Sequence, residues 1–209
     1  DQGGDIEAWE GTIVTVVARA SRPVDTARIV FTNTEDTSQK AEEFSMTVDE
    51  GGRRLVARWT LEFRDGDHEN YARFYRIVCD SQDGSNLRPA LYRIDIRPDP
   101  DPVVELLDPT ADLEMPANGI VPLLVRARDP EFGLKYLTLR ISKDGERLDH
   151  PRQEIFEGEQ RSFGPLSFNF ALEPLRLMPG DIISYLIEAR DNKLPLGNRT
   201  RTAERRITI

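Results

Sequence analysis

The sequence predicts an all-β protein made of two β-sandwich domains in tandem. Three observations predict it: apolar residues recur at every second position along the chain, a unit of about 100 residues occurs twice, and a proline-rich segment separates the two copies. Side chains on a strand alternate between its two faces, so this period marks strands with one buried face. The 209 residues are enough for two domains, each with its own core.

Each copy contains seven predicted short strands separated by turn residues, a count that is typical of a β-sandwich. The strands of the first copy are predicted at 5–8, 12–20, 26–32, 43–48, 54–63, 71–79 and 90–96. Those of the second copy are predicted at 103–107, 120–128, 135–142, 152–157, 166–172, 182–190 and 201–209. The alternating apolar residues that we assign to the two cores include Trp59, Leu61, Phe63, Leu166, Phe168 and Phe170.

The repeat is visible in two pairs of matching segments. Residues 13–23 and 120–130 are similar apolar runs in which an Arg-Ala pair and a proline recur at the same offsets. Residues 75–80 match 185–191 with one residue inserted. Two copies of one structural unit explain both matches.

The segment Pro-Asp-Pro-Asp-Pro at 98–102 is the predicted linker between a domain at 1–97 and a domain at 103–209. Proline fixes its own φ and pushes the preceding residue towards extended geometry, so alternating prolines favour a short polyproline-II spacer. We therefore expect the linker to restrict the angle between the two domains.

The charge balance argues against polyanionic partners. The chain has 28 basic and 37 acidic residues, a formal net charge of −9, and its basic residues are scattered along the sequence. Nucleic acids and anionic membrane surfaces require clustered positive charge, so we expect neither as a partner. No apolar run approaches the roughly 20 residues of a membrane helix, which predicts no direct membrane insertion. The sequence opens without Met, and we expect it to be part of a longer protein.

Few residues offer catalytic chemistry. The single cysteine, Cys79, is predicted to be a small core residue on the strand face of Tyr75 and Ile77. The two histidines, His68 and His150, each follow an Asp in a loop-like stretch and are predicted to be solvated. The sequence contains no nucleophile elbow, phosphate-binding loop or zinc-protease motif. We therefore predict that the chain is not an enzyme.

Alternating carboxylates around Gly66 suggest a metal site. Calcium takes six to eight oxygen ligands, and a short acidic loop can supply several of them. Loop placement in a sandwich would bring this loop towards the linker and two loops of the second copy. The resulting candidate calcium ligands at the domain junction are Asp65, Asp67, Glu69, Asp99, Asp101, Asp129, Glu131 and Asp191. The alternative is that ordinary ion pairs neutralise these carboxylates, with Arg97, Arg128, Arg190 and Arg199 as partners.

Residues 177–191 contain a Leu-Met-Pro-Gly turn followed by Tyr185 and an alternating apolar strand. This segment resembles the E–F corner and F strand of fibronectin type III and related immunoglobulin-like domains, in which the Tyr hydroxyl bonds to the corner backbone. Through residues 9–16, 130–134 and 185–191, the whole chain is also similar to the tandem immunoglobulin-like part of large uncharacterised planctomycete-type envelope proteins. The resemblance implies a periplasmic or extracellular part of a membrane-anchored bacterial protein. The first copy lacks the Pro-Gly turn.

These observations predict a non-enzymatic spacer or protein-interaction module, whose partner is another protein or the rest of its parent polypeptide. The alternative is a ligand-binding module for calcium or for carbohydrate. A carbohydrate site would require exposed aromatic side chains, for which Trp9, Tyr71 and Phe156 are the candidates.

The sheet edges allow two interpretations. Arg53-Arg54 and Arg205-Arg206 are expected to guard edge strands against pairing with another chain. The alternative is that one edge accepts a strand from a partner.

Overall fold

A computed structural model describes residues 3–35, 42–49, 51–64, 66–86, 88–151 and 153–209. The chain divides into two compact units, Asp1–Asp99 (unit 1) and Pro100–Ile209 (unit 2). In the described residues the only helix is one 3-10 turn at Glu173–Leu175, and none has the length and hydrophobicity of a membrane span. The prediction of an all-β, immunoglobulin-like sandwich fold is confirmed. The role of 98–102 as a stiff linker stays a prediction.

Unit 1 forms two sheets. Its described strands are β1 (Ile6–Trp9), β2 (Ile13–Arg19), β3 (Thr26–Thr32), β4 (Glu42–Ser45), β5 (Thr47–Val48), β6 (Arg54–Thr60), β7 (Phe74–Ser81), β8 (Gly84–Ser85) and β9 (Leu91–Arg97). One sheet has the order β1-β9-β7-β3-β4 with β8 also on β7, and the other has the order β2-β6-β5. β1 lies parallel to β9, and the other described pairs are antiparallel.

Unit 2 repeats this plan. Its described strands are β10 (Val103–Asp108), β11 (Leu113–Glu114), β12 (Ile120–Arg128), β13 (Leu134–Lys143), β14 (Glu146–Leu148), β15 (Glu154–Gln160), β16 (Ser162–Ala171), β17 (Ile182–Asp191), β18 (Arg199–Arg201) and β19 (Arg205–Thr208). One sheet has the order β11-β19-β17-β13-β14, with β15 on β13 and β18 on β17. The other has the order β10-β12-β16.

The two sheets of each unit enclose a core formed by alternate strand residues. In unit 1, Ile29 from one sheet and Leu55 from the other are at most 1% exposed. In unit 2, Ile187 from one sheet and Leu123 from the other are also at most 1% exposed. Each such side chain contributes about 1.5–3 kcal/mol by its removal from water. The period-two pattern of the sequence therefore corresponds to two separate hydrophobic cores.

The strands lie close to their predicted positions, with three differences. The predicted strand 43–48 is interrupted at Met46, whose side chain enters the core and whose N–H donates a hydrogen bond to the carbonyl of Ala27 (2.9 Å). The predicted strand 201–209 is replaced by β18 and β19, which both pair with β17. The prediction missed β8, β11 and β14, because two or three residues are too few to show alternation.

The two equivalent tyrosines differ in the hydrogen bonding of their hydroxyl groups. Tyr75 on β7 and Tyr185 on β17 are both 1% exposed, and burial raises the pKa of each to about 12. The Tyr75 hydroxyl donates a hydrogen bond to the carbonyl of Gly4. The Tyr185 hydroxyl has no hydrogen-bond partner among the described residues. The predicted bond from Tyr185 to the corner backbone is therefore wrong.

Two strands, β10 and β11, precede β12 in unit 2, whereas one described strand, β1, precedes β2 in unit 1. In unit 2, β10 pairs antiparallel with β12 and covers its outer edge. In unit 1, β1 pairs with β9 in the opposite sheet, and β2 pairs with β6 alone within the described part of the chain. The edge of β2 that faces away from β6, which we call the open β2 edge, therefore has no strand neighbour among the described residues.

The predicted edge guards are not at edges. Arg54 belongs to β6, the middle strand of its sheet, and Arg205 and Arg206 belong to β19, which lies between β11 and β17. This prediction is wrong because strand order depends on long-range pairing, which a charge pair in the sequence does not reveal. The open β2 edge carries apolar side chains instead, with Ile13 39% and Val17 56% exposed.

Candidate functional site

The predicted calcium ligands of unit 1 are engaged in local contacts. Asp67 is exposed, and its Oδ1 accepts a hydrogen bond from the N–H of Glu69 (2.9 Å). The Glu69 carboxylate forms an ion pair with Arg73 (2.7 Å). Asp65 lies outside the described residues. The loop therefore uses two of its three carboxylates to hold its own turn and a neighbouring arginine.

The predicted ligands in the linker and the following loop differ in exposure. Asp99 is 9% exposed, Asp101 is exposed, and Glu131 is half-buried. Arg97, one of the predicted neutralising arginines, pairs with Glu7 on β1. Over the described residues, no group of three or more His, Cys, Asp or Glu side chains is placed to hold a metal ion. The calcium site at the domain junction stays a prediction.

Two of the predicted ligands, Asp129 and Asp191, are buried inside unit 2. Asp129 follows β12 and is 1% exposed, and Asp191 ends β17 and is 0% exposed. The Oδ1 atom of Asp129 accepts hydrogen bonds from the N–H groups of Phe132 and Gly133, both at 2.9 Å. One oxygen of this carboxylate thereby fixes the loop between β12 and β13.

Asp191 has the same function in the loop after β17. Its Oδ1 atom accepts hydrogen bonds from the N–H groups of Lys193 (3.0 Å) and Asn198 (2.8 Å). The sequence prediction missed this burial because both carboxylates stand in stretches rich in polar residues. The available signal was their position directly after long alternating strands, where an Asp can cap the following loop.

The second oxygens of these two carboxylates have no donors. The Oδ2 atoms of Asp129 and Asp191 are buried and accept no hydrogen bond from the described residues. Burial raises the pKa of Asp191 to about 6, and the charge of Asp129 adds to the rise, while the N–H groups of Lys193 and Asn198 oppose it. A buried acceptor without a donor is unfavourable, so this pair favours binding a proton or a cation.

Unit 2 also brings arginines together that are scattered in the sequence. Arg140 and Arg201 donate to opposite oxygens of Glu188 at 2.6 and 2.8 Å. Burial opposes the ionisation of Glu188, yet the two arginines outweigh it and hold the pKa of this carboxyl below its ordinary value. Arg147 and Arg199 line the same surface depression, which measures about 390 Å³. Sequence patterns missed this cluster because its members come from four different strands, β13, β14, β17 and β18.

The remaining polar candidates show no catalytic arrangement in the described residues. His68 is exposed as predicted, whereas His150 is 8% exposed and its Nε2 lies 2.8 Å from the carbonyl oxygen of Ala171. The prediction of a solvated His150 is therefore wrong. Cys79 is half-buried against the unit 1 core, and its pKa is raised by burial and by the neighbouring Asp80.

The aromatic residues proposed for a carbohydrate platform are covered. Tyr71 is 7% exposed in the unit 1 core, and half-buried Phe156 packs against the unit 2 core. Trp9 is half-buried, with the guanidinium of Arg97 5.9 Å from its ring centroid. Tyr71 is therefore too buried to contact a sugar, and Trp9 and Phe156 are exposed only in part.

An apolar groove of about 330 Å³ lies beside the open edge of β2. The end of β2 from Ala18, Leu55 of β6, Ile77 and Cys79 of β7, and Tyr92 of β9 line this space, which we call the β2 groove. The groove thus lies between the two sheets of unit 1. The sequence did not indicate the groove, because the residues that line it are far apart along the chain and meet only in the fold.

No protein-family model and no curated protein matches the chain. Among solved structures, it is similar to the fibronectin(III)-like modules of Clostridium thermocellum CbhA, with 13% identity, a TM-score of 0.36, and coverage of 100% of this chain and 91% of that one. It is also similar to the titin Ig tandem domains A164-A165, with 9% identity, a TM-score of 0.31, and 98% and 92% coverage. For DIP-gamma IG1+IG2, the values are 12% identity, a TM-score of 0.28, and 98% and 94% coverage. The fold assignment rests on the strand order and cores given above.

Proposed function

We propose that the chain is a non-enzymatic module that spaces and binds proteins within a larger bacterial envelope protein. The observation that carries the binding role is the open β2 edge, which has no strand neighbour among the described residues and would pair with a strand of another protein or of the rest of the parent polypeptide. An unpaired strand edge is a natural template for protein contacts. The spacing role rests on the alternating prolines of 98–102.

Small-angle scattering tests the spacing role. The full chain should scatter as two bodies whose separation is restricted, because three prolines limit the linker backbone. A variant with Pro98, Pro100 and Pro102 replaced by Ser is the control, and its distance distribution should broaden. A single compact scattering body, unchanged in the variant, would contradict the spacer.

The proposed location outside the cytoplasm rests on the resemblance of residues 9–16, 130–134 and 185–191 to envelope proteins. Protease added to permeabilised cells of the source organism should cleave the parent protein, while a cytoplasmic marker stays intact. Protection of the parent protein under these conditions would refute the location.

A second candidate function is calcium binding by unit 2. It is favoured by Asp129 and Asp191, whose buried Oδ2 atoms have no donor in the described part of the chain. Carboxylate oxygens are the ligands that calcium prefers, and a bound cation would compensate the two adjacent buried charges.

Calorimetric titration with calcium tests this second function. The native chain should release or absorb heat, and its unfolding midpoint should rise, whereas Asp129→Asn combined with Asp191→Asn should remove both effects. Asp144→Asn, an exposed residue in the turn before β14, is the matched control and should bind as the native chain does. Neither heat nor a thermal shift at millimolar calcium would eliminate this function.

A further inference from the structure

The outer face of the larger sheet of unit 2 gathers arginines from four adjacent strands. Leu139 of β13 and Ile187 of β17 are 0% exposed in the core, so residues an odd number of positions away on each strand point outwards. The strand registers extend this alternation to β14 and β18. The outward-facing arginines, which we call the arginine face, are Arg140 on β13, Arg147 on β14, Arg190 on β17, and Arg199 and Arg201 on β18.

The charge of this surface is opposite to that of the whole chain. Two surface depressions of about 390 and 250 Å³ lie over the arginine face, and Arg147 and Arg199 line both of them. Five arginines and three glutamates line the two depressions among the described residues, whereas the whole chain has a net charge of −9. The glutamates are Glu154, Glu188 and Glu204. The arginine face therefore favours an anionic ligand.

The central glutamate of the arginine face already has its partners. Glu188 is 5% exposed, and one of its carboxylate oxygens accepts hydrogen bonds from Arg140 while the other accepts one from Arg201. These bonds fix the two guanidinium groups on the face of the sheet. The charge of Glu188 is thus compensated by two arginines of its own, and it leaves the other three arginines unneutralised.

Those three arginines have no acidic partner in the part of the chain that the structure describes. Arg147 donates a hydrogen bond to the neutral amide oxygen of Gln153 (3.0 Å), which holds its guanidinium in place. Arg190 and Arg199 form no ion pair with a described carboxylate. A guanidinium group binds a carboxylate through two parallel charge-assisted hydrogen bonds. The arginine face can therefore accept carboxylates from a second molecule.

Apolar side chains lie among the arginines. In the strand registers, Leu186 is opposite Arg140 and Tyr136 is opposite Arg190, and both apolar side chains are half-buried on the outer face. Both depressions lie on the solvent side of the sheet, whereas a small-molecule site usually encloses most of its ligand. Open surfaces that combine arginine with tyrosine are typical of protein interfaces. The surface therefore fits a protein segment better than a small molecule.

We propose that the arginine face binds an acidic segment of a partner protein. Carboxylates of the segment pair with Arg147 and Arg199, and an apolar side chain between them contacts Leu186 or Tyr136. This inference rests on the proposed interaction role, and it names the chemistry of the partner: a segment with several glutamates or aspartates around an apolar residue.

Binding of a labelled peptide to the full chain tests the proposal. The fluorescein-labelled peptide Gly-Ser-Glu-Glu-Leu-Glu-Glu-Ser-Gly should bind saturably, as measured by fluorescence anisotropy. The matched peptide with Gln in place of every Glu keeps the size and hydrogen-bonding shape but lacks the charge, and it should not bind measurably. No saturable binding of the acidic peptide, or equal binding of the Gln peptide, would overturn the proposal.

Charge reversals locate the binding surface. Arg147→Glu and Arg199→Glu should each weaken binding of the acidic peptide about tenfold, because an attractive ion pair becomes a repulsive one. Arg161→Glu is the matched control, since Arg161 is exposed between β15 and β16, lines neither depression and changes the net charge equally. Circular dichroism and the unfolding midpoint verify that the three variants fold. Equal weakening by all three would mean non-specific electrostatic attraction and would overturn the proposal.

Nuclear magnetic resonance gives a second readout that needs no variant. The amide signal of Gly145, which lines the larger depression, should shift saturably with the acidic peptide, whereas the signal of Gly180, which lines neither depression, should not. Saturable binding that leaves Gly145 unchanged would show that the peptide binds elsewhere and would overturn the proposal.

Competition distinguishes a protein partner from other polyanions. The unlabelled acidic peptide should displace the labelled one at a lower concentration than trigalacturonate or a short single-stranded DNA does. Stronger displacement by either of these would assign the arginine face to another class of ligand and overturn the proposal. The scattering measurement on the linker judges the spacing role independently, so failure of peptide binding and failure of the proposed module are distinguishable.

Discussion

Unit 1 and unit 2 share the order of their central strands but close their sandwiches differently. In unit 2 the chain first pairs β10 with β12 and then crosses to pair β11 with β19. In unit 1 the described chain contains the second pairing, β1 with β9, and no counterpart of the first. Among the described residues, the core of unit 1 is therefore less covered beside β2 than the core of unit 2 is beside β12. Burial of a strand depends on its neighbours as much as on its own pattern.

A second contrast concerns two aspartates at the ends of equivalent strands. In the aligned segments Asp80 of β7 matches Asp191 of β17. Asp80 accepts hydrogen bonds from Ser85 and Arg28, which lower its pKa. Burial instead raises the pKa of Asp191 to about 6. The pKa values of equivalent carboxyl groups are thus shifted in opposite directions, because Asp191 is buried and only Asp80 has donors for both oxygens.

The largest expected effect follows from this contrast. Asp191 binds a proton more tightly in the folded state than at its ordinary pKa of 3.8, so unit 2 should lose stability as pH rises from about 4 through 6. The loss should be at most about 3 kcal/mol, since one pKa unit corresponds to about 1.4 kcal/mol. Amide hydrogen exchange of β17, measured between pH 4 and 6 in the presence of a chelator, should show this loss of stability. In Asp191→Asn, the stability of unit 2 should depend less on pH.

The stability of unit 1 should change with pH in the opposite direction. The lowered pKa of Asp80 gives stability that is present above pH 3.8 and is lost as pH falls below that value. Tryptophan fluorescence reports unfolding of unit 1 alone. A parallel loss of stability in both units as pH rises from 4 to 6 would show that the two carboxylates do not differ in this way.

The next effect compares the same substitution on the two equivalent strands. Val121→Ala should destabilise unit 2 by about 2–3 kcal/mol, because it leaves a cavity in a sealed core. Val14→Ala should cost unit 1 about 1 kcal/mol, because Val14 is half-buried and water already reaches this face. Urea unfolding followed by circular dichroism and by tryptophan fluorescence measures the two. Equal losses would mean that the β2 side of unit 1 is as well sealed as its counterpart.

The smallest effect concerns the two tyrosine hydroxyls. Tyr75→Phe should destabilise unit 1 by about 1 kcal/mol, because the carbonyl of Gly4 loses its donor. Tyr185→Phe should be neutral or stabilise unit 2 by up to about 1 kcal/mol, since its buried hydroxyl has no partner among the described residues. Thermal unfolding of the two variants gives the comparison, and a loss at Tyr185 equal to that at Tyr75 would contradict it.

The fold was predictable from the sequence because alternation is a local property. The strands of the two cores, including Leu55 and Leu123, follow from every-other-residue patterns that need no knowledge of the partner strand. The pairing of β2 was harder to predict, because it depends on residues outside that strand.

The candidate sites were predictable only in part. Asp129 and Asp191 were identified as members of an acidic set, yet their burial and their roles in fixing two loops depend on backbone N–H groups that become close only in the fold. The predicted solvation of His150 failed for the same reason, since the carbonyl of Ala171 that it contacts lies on a distant strand. Polar side chains in loops take their roles from tertiary geometry.

The parallel pairing of first and last strands has a mechanical consequence. β1 is the first described strand of unit 1 and β9 is the last, and four residue pairs, from Ile6 with Ile94 to Trp9 with Arg97, join them side by side. A pull on the two ends of unit 1 would drag these strands past one another lengthwise, so the bonds between them would share the load rather than break singly. Such a shear joint resists force better than one that unzips from its end, a useful property wherever the polypeptide carries tension.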